Sequence, residues 1–158
     1  MHPRRFALIA GTIMVLTSLL SFLPGLNTDP ATAGLAPLNV EASHGLFMNF
    51  LPMNIVTKIV LLAFGIWGIA ASQNRMRSLP ASRSWAGWVS LGMGLLAILG
   101  AIPATNTLFG TYPLYGNVVW MNTIFSLLGG YFTSRLAAKA HANNAWLRDD
   151  RDITNRAA

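Results

Sequence analysis

FLPMNIVTKIVLLAFGIWGIAAS, Phe50–Ser72, decides the fold. From Ile55 onward it runs apolar to Ser72, with Lys58 as its one charge. Crossing the hydrocarbon core of a bilayer takes about 20 mostly apolar residues in a helix rising about 1.5 Å per residue, so the run predicts a transmembrane helix over 55–72. Asn54 stands just before the first helical residue, where a side-chain oxygen can accept from a free amide, and is predicted as the N-cap. Pro52 breaks the backbone ahead of it.

Three more runs have this character: Phe6–Leu23, Trp85–Ile102 and Val118–Ser134. Pro24 and Pro103 stop the first and third, because proline lacks the donor that would continue a helix. The whole chain agrees, with 53% hydrophobic and only 10% charged residues in 158, against about 25% charged in soluble domains. The fold class expected is all-α integral membrane, with four transmembrane helices (6–23, 55–72, 85–102, 118–134) arranged as two hairpins. Residues 1–134 form the transmembrane domain, and 135–158 a cytoplasmic helical extension and tail. The net charge of +6 comes from basic residues scattered at the ends of apolar runs, so no nucleic-acid stripe is read from it. With no cysteine, thiol chemistry and cysteine-ligated clusters are excluded.

Lys and Arg are retained on the cytoplasmic side. Arg4 and Arg5 precede the first run, Arg75, Arg77 and Arg83 lie at the junction of the second and third, and the remaining arginines and Lys139 follow the fourth. The connections 24–54 and 103–117 contain no Lys or Arg. Both termini are therefore predicted to be cytoplasmic, in a bacterial inner or internal membrane. A cleaved signal peptide ending near Ala31-Thr32-Ala33 is the competing reading, but the first apolar run exceeds the usual h-region of about 7–15 residues. A retained helix is expected.

The two halves share an order of residues. Pro24-Gly25-Leu26-Asn27-Thr28 matches Pro103-Ala104-Thr105-Asn106-Thr107; then Leu46-Phe47 matches Leu108-Phe109, Pro52 matches Pro113, and Asn54 matches Asn117. Gly65 and Gly68 have Gly129 and Gly130 as counterparts. Either the chain is a tandem pseudo-repeat about an axis along the membrane normal, or Pro, Asn and Gly recur at helix ends for local reasons. The segments before helices 2 and 4 are too short to span, so they are expected as interfacial segments, with Asn54 and Asn117 as helix caps.

No catalytic constellation is legible: His2, His44 and His141 lie far apart in the chain, and no phosphate-cradling loop is present. Lys58 is expected to snorkel toward the headgroups or to contact a lipid or an acid such as Glu41 or Asp29. Ser90 and Gly94, Ala97 and Ala101, and Ser126 and Gly130 have the small-xxx-small spacing that lets helices approach closely. Gly87, Gly94 and Ala101 also recur every seven residues. Trp85, Trp88, Trp120, Tyr112, Tyr115 and Trp146 read as an aromatic belt. His44 as an axial ligand to a tetrapyrrole is the weaker alternative; no cofactor is otherwise predicted, beyond a bound lipid.

The run from Phe50 to Ser72, the basic connection, WVSLGMGLLAILGAIP and LFGTYPLYGNVVWMN together resemble the bacterial four-helix membrane proteins grouped as domain of unknown function 4383. The resemblance covers about Arg4 to Phe132. It implies a four-helix architecture and no established activity. Members often carry histidines at the positions of Thr57, Leu61 and Asn122, so the resemblance implies that any histidine-dependent binding is lost in this chain. The function expected is non-enzymatic: an accessory subunit packing against other membrane-protein subunits in the bilayer. The alternatives are an independent lipid- or small-molecule-binding or transport protein with a cleft between the hairpins, and a pigment-associated subunit of a photosynthetic complex.

Overall fold

The computed structural model describes residues 3–74 and 78–134. The extension expected over 135–158 lies outside the described residues. Four helices account for most of them: α1 (Pro3–Leu20), α2 (Ile55–Gln73), α3 (Ser78–Ala101) and α4, helical over 117–134. Helices α1, α2 and α3 are each long and apolar enough to cross a membrane.

The ends of the helices differ from the sequence expectation for local reasons. Helix α1 stops at Leu20, three residues early, because Phe22 and Leu23 turn back to the carbonyls of Leu19 and Leu20. The Asn27 amide then takes the Ser21 and Leu23 carbonyls, at 2.8 Å each. Helix α3 begins at Ser78, before Trp85, because Pro80 falls in the first turn, where its missing N–H has no intrahelical partner to lose.

The all-α expectation needs one correction. The segment before α2 is a β-hairpin, β2 (Gly45–Phe47) and β3 (Leu51–Met53), joined by β1 (Asn27–Thr28) into an antiparallel sheet of order β1-β2-β3. Asn27 pairs with Phe47, and Leu46 with Pro52. Pro52 is tolerated because β3 is an edge strand, where a missing donor breaks no ladder on the open side. Strands this short carry little hydropathy signal, so the hairpin reads as a plain apolar segment.

Glycines set the helix spacing. A Cβ on Gly65 would stand 2.8 Å from the Gly11 carbonyl oxygen and 2.9 Å from the Val15 amide, so α1 and α2 touch backbone to backbone there. At the α3–α4 crossing a Cβ on Gly129 would meet the Ala86 carbonyl oxygen at 2.5 Å. Between the pairs lies an aromatic core: Phe6 stacks on Phe132 with centroids 4.6 Å apart and tilts against Trp85 at 5.6 Å. The buried Trp85 donates its indole N–H to the Phe64 carbonyl at 3.0 Å.

Candidate functional site

Two regions concentrate polar chemistry or open space: the loop cap over one end of the bundle, and the outer seam between α3 and α4.

In the cap, Asn54 occupies the N-cap of α2, its Oδ1 accepting from the Thr57 amide at 3.1 Å. Its Nδ2 reaches across to the Thr111 carbonyl at 2.8 Å, in the other loop. Asn117 returns the gesture, its Nδ2 donating to the Phe50 carbonyl at 3.1 Å. Asn117 is thus a loop-to-loop strut at the first helical residue, with Gly116 before it at φ +64°, and this corrects its expected role as a cap. Asn39 completes the clasp, its amide and side chain donating to the Gly110 and Phe109 carbonyls.

Beneath this clasp lies Lys58, only 1% exposed. Its Nζ donates to the Ser21 carbonyl and the Ser43 hydroxyl, both at 2.6 Å, and sits 5.0 Å above the Phe22 ring. The ammonium therefore neither snorkels outward nor meets a carboxylate among the described residues. It lies at the C-terminal end of α1, whose free carbonyls and dipole favour a positive charge. Ser18 closes the lock from the other side by donating to the Lys58 carbonyl at 2.7 Å. Ser18, Ser21 and Ser43 are the partners that sequence reading missed. Their one signal is the Ser18/Ser21 spacing at the end of α1, where the Ser18 hydroxyl reaches α2 and the Ser21 hydroxyl turns back to the Ser18 carbonyl, leaving the Ser21 carbonyl to Lys58.

Several polar atoms of this end remain buried without a partner: Asn27 Oδ1, His44 Nε2 and both amide atoms of Asn122. Burial lowers the His44 pKa, with Glu41 opposing. With Nε2 enclosed by the loop, no open face is left at that nitrogen for a macrocycle. Burial pushes the Tyr112 hydroxyl up to about 12, only partly opposed by Thr57. It raises Tyr115 as well, against a backbone contact from Ala36.

The small-residue positions lie on the second region. Ser126 donates to the Ser90 carbonyl at 2.8 Å, and a Cβ on Gly94 would stand 2.7 Å from the Ser126 hydroxyl oxygen. Gly130 faces the Ser90 hydroxyl. Toward the cap the seam opens into a groove of about 530 Å³ lined by Gly94, Ala97, Ala101, Val119, Trp120 and Ser126, among others. A second depression of about 420 Å³ follows toward the other end, past Gly87, Ser90 and Gly130 to Arg83. Both lie within the α3–α4 hairpin and not between the hairpins.

An apolar helical bundle with three helices fit to cross a membrane and a polar clasp at one end defines a class of membrane-type helical protein without a known activity. Residues 4–134 match the family described as domain of unknown function DUF4383, and the chain belongs to that family. No curated protein and no solved structure matches it.

Proposed function

We propose that the protein is an integral membrane subunit in which all four helices cross the bilayer as two like-oriented hairpins, both termini cytoplasmic, with the cap on the opposite face available to a partner subunit. The distribution of Lys and Arg supports this orientation. A common burial pattern supports the pairing of the hairpins. A shift of 79 residues carries Phe6, Ala7, Ala10, Met14 and Ser18 of α1 onto Trp85, Ala86, Val89, Met93 and Ala97 of α3, all buried. A shift of 61 carries Thr57, Leu61, Gly68 and Ala71 of α2 onto Val118, Asn122, Gly129 and Phe132 of α4, again all buried. The second shift also carries Pro52 onto Pro113. By this register Asn54 answers to Tyr115 and not to Asn117.

The observation that carries the docking role is a pair of exposed apolar side chains on the cap. Met48 and Phe109 are equivalents at the shift of 61, and both stand in left-handed backbone, at φ +49° and +58°. That region is unfavourable for residues with a Cβ. Phe109 is nonetheless 80% exposed and Met48 64%. Two strained positions that present bulky apolar groups outward suit a contact surface better than they suit stability.

Extraction of native membranes in mild detergent tests this. The expected result is migration with an assembly much larger than the monomer, lost in a Met48→Asn/Phe109→Asn variant that keeps its helical circular dichroism. A lone small species for both proteins would overturn it.

A further inference from the structure

We propose that the outer α3–α4 seam holds a resident phospholipid in the depression beside Arg83, its hydrocarbon chain lying along the hollowed seam there and its phosphate taken by Arg83. The inference rests on the pairing of the hairpins proposed above.

The two seams of the bundle differ in a patterned way. On α1 and the turn that follows it, Leu8, Val15 and Phe22 stand seven residues apart, and the shift of 79 carries them onto Gly87, Gly94 and Ala101. On α2, Lys58 and Ile69 answer to Val119 and Gly130 at the shift of 61. In the first hairpin bulkier side chains stand at these positions: a Cβ on Gly65 would meet Val15 at 2.7 Å, and the Lys58 ammonium sits 5.0 Å from the Phe22 ring. In the second hairpin Leu8, Val15, Phe22 and Ile69 are answered by glycine or alanine and Lys58 by the shorter Val119, and the two depressions of about 530 and 420 Å³ are lined by these positions.

The chemistry of the hollow selects its occupant. In the depression beside Arg83 the Thr133 hydroxyl donates to the Arg83 carbonyl at 3.4 Å and the Ser134 hydroxyl to the Tyr131 carbonyl at 3.3 Å, and in the larger groove beyond it Thr123 donates to the Val119 carbonyl at 2.8 Å and Ser126 to the Ser90 carbonyl. Hydrocarbon is therefore the matching filler, and exposed Leu91 beside Arg83, like Ile98 and Leu127 along the larger groove, forms a rim that would flank a narrow chain. The seam from Arg83 to Ala101 extends about 27 Å, close to the thickness of a bilayer core. It is pinched at its middle, where Ser126 meets Ser90, into two lengths, each about that of one leaflet. A continuous groove would suit a partner helix; two leaflet-length depressions suit lipid chains. Arg83 lines the end away from the cap. Its equivalent Arg4 donates to the Ser72 carbonyl at 2.8 Å, whereas among the described residues the Arg83 guanidinium has no protein acceptor. A phosphate oxygen is the acceptor that a bilayer supplies at this depth.

The test reconstitutes the full chain in phosphatidylcholine vesicles doped with chain-spin-labelled phosphatidylglycerol or phosphatidylcholine. Wild type should show a slowly exchanging, motionally restricted component, several-fold larger with the anionic lipid. Gly87→Leu/Ala101→Phe, which restores the bulk of the first seam, should abolish it. A Cβ at Gly87 meets nothing closer than 3.6 Å, so the leucine has room. Arg83→Gln should remove only the anionic preference, and inorganic phosphate should not displace the lipid; displacement would mean that Arg83 recognises free phosphate. The proposal is overturned if wild type lacks the component, as it would with a partner helix in the seam, or if Gly87→Leu/Ala101→Phe retains it. Leu8→Ala/Phe22→Ala separates the underlying reading: with the hairpins equivalent it adds a second component, and without equivalence it adds none while the α3–α4 result stands.

Discussion

Asn122 is a whole amide inside the bundle with neither of its polar atoms paired. A buried polar group without a partner costs about 1–3 kcal/mol, and under the proposed pairing of the hairpins its counterpart is Leu61, equally buried. Asn122→Leu is therefore expected to raise thermal stability in detergent by about 1–3 kcal/mol; a lower melting temperature would show that a water or ligand satisfies the amide. Tyr112 makes a pH-dependent case. Its folded pKa of about 12 lies above the ordinary value of 10, so the folded state holds its proton longer than the unfolded chain. The stabilisation is complete below pH 10 and is lost as pH rises through the interval up to about 12. Tyr112→Phe should leave the neutral melting temperature nearly unchanged and flatten the alkaline decline, measured by melting between pH 8 and pH 11. Lys58 shows what sequence can and cannot say at this scale. Its isolation in an apolar run marks it as unusual, but its partners lie 37 residues back at Ser21 and 15 back at Ser43, and no local spacing announces them.

Among the elements, the helices were legible and the cap was not. Long apolar runs specify α1, α2 and α3 to within a few residues, apart from the start of α3, because hydropathy accumulates over some twenty positions. The three-residue strands depend on pairing between Asn27–Thr28 and Gly45–Phe47, a contact made across an intervening loop, and so leave no periodic trace. The small residues of α3 and α4 were legible as packing positions, but which of them touch and which line open space depends on the crossing itself. Gly129 is the point where this crossing is tightest in backbone terms. A methyl there meets the Ala86 carbonyl oxygen at 2.5 Å and the Ser90 amide at 2.9 Å, neither of which can rotate away. Gly129→Ala should thus destabilise by about 1–3 kcal/mol or more by forcing the helices apart. Gly25→Ala, with nothing within 4 Å of the added Cβ, is the control that should melt like wild type. Equal melting of the two variants would contradict the close approach of α3 and α4.

For the whole molecule, the matched burial of α1 with α3 and α2 with α4 replaces a loose recurrence of Pro, Asn and Gly with two registers, a shift of 79 for the first arm of each hairpin and of 61 for the second. Sequence alone could not fix them, because the loops between the hairpin arms differ in length and the shared feature is burial, not residue identity. The proposed arrangement of two like-oriented hairpins places the cap on one side of the membrane and the α2–α3 junction on the other. The absence of native cysteine allows a direct measurement of this arrangement. Glu41 and Gln73 are both exposed, one in the cap and one at the opposite end of α2. In right-side-out vesicles, Glu41→Cys should react with a membrane-impermeant maleimide, and Gln73→Cys should react only after permeabilisation. Labelling of both before permeabilisation, or of Gln73→Cys alone, would contradict the account.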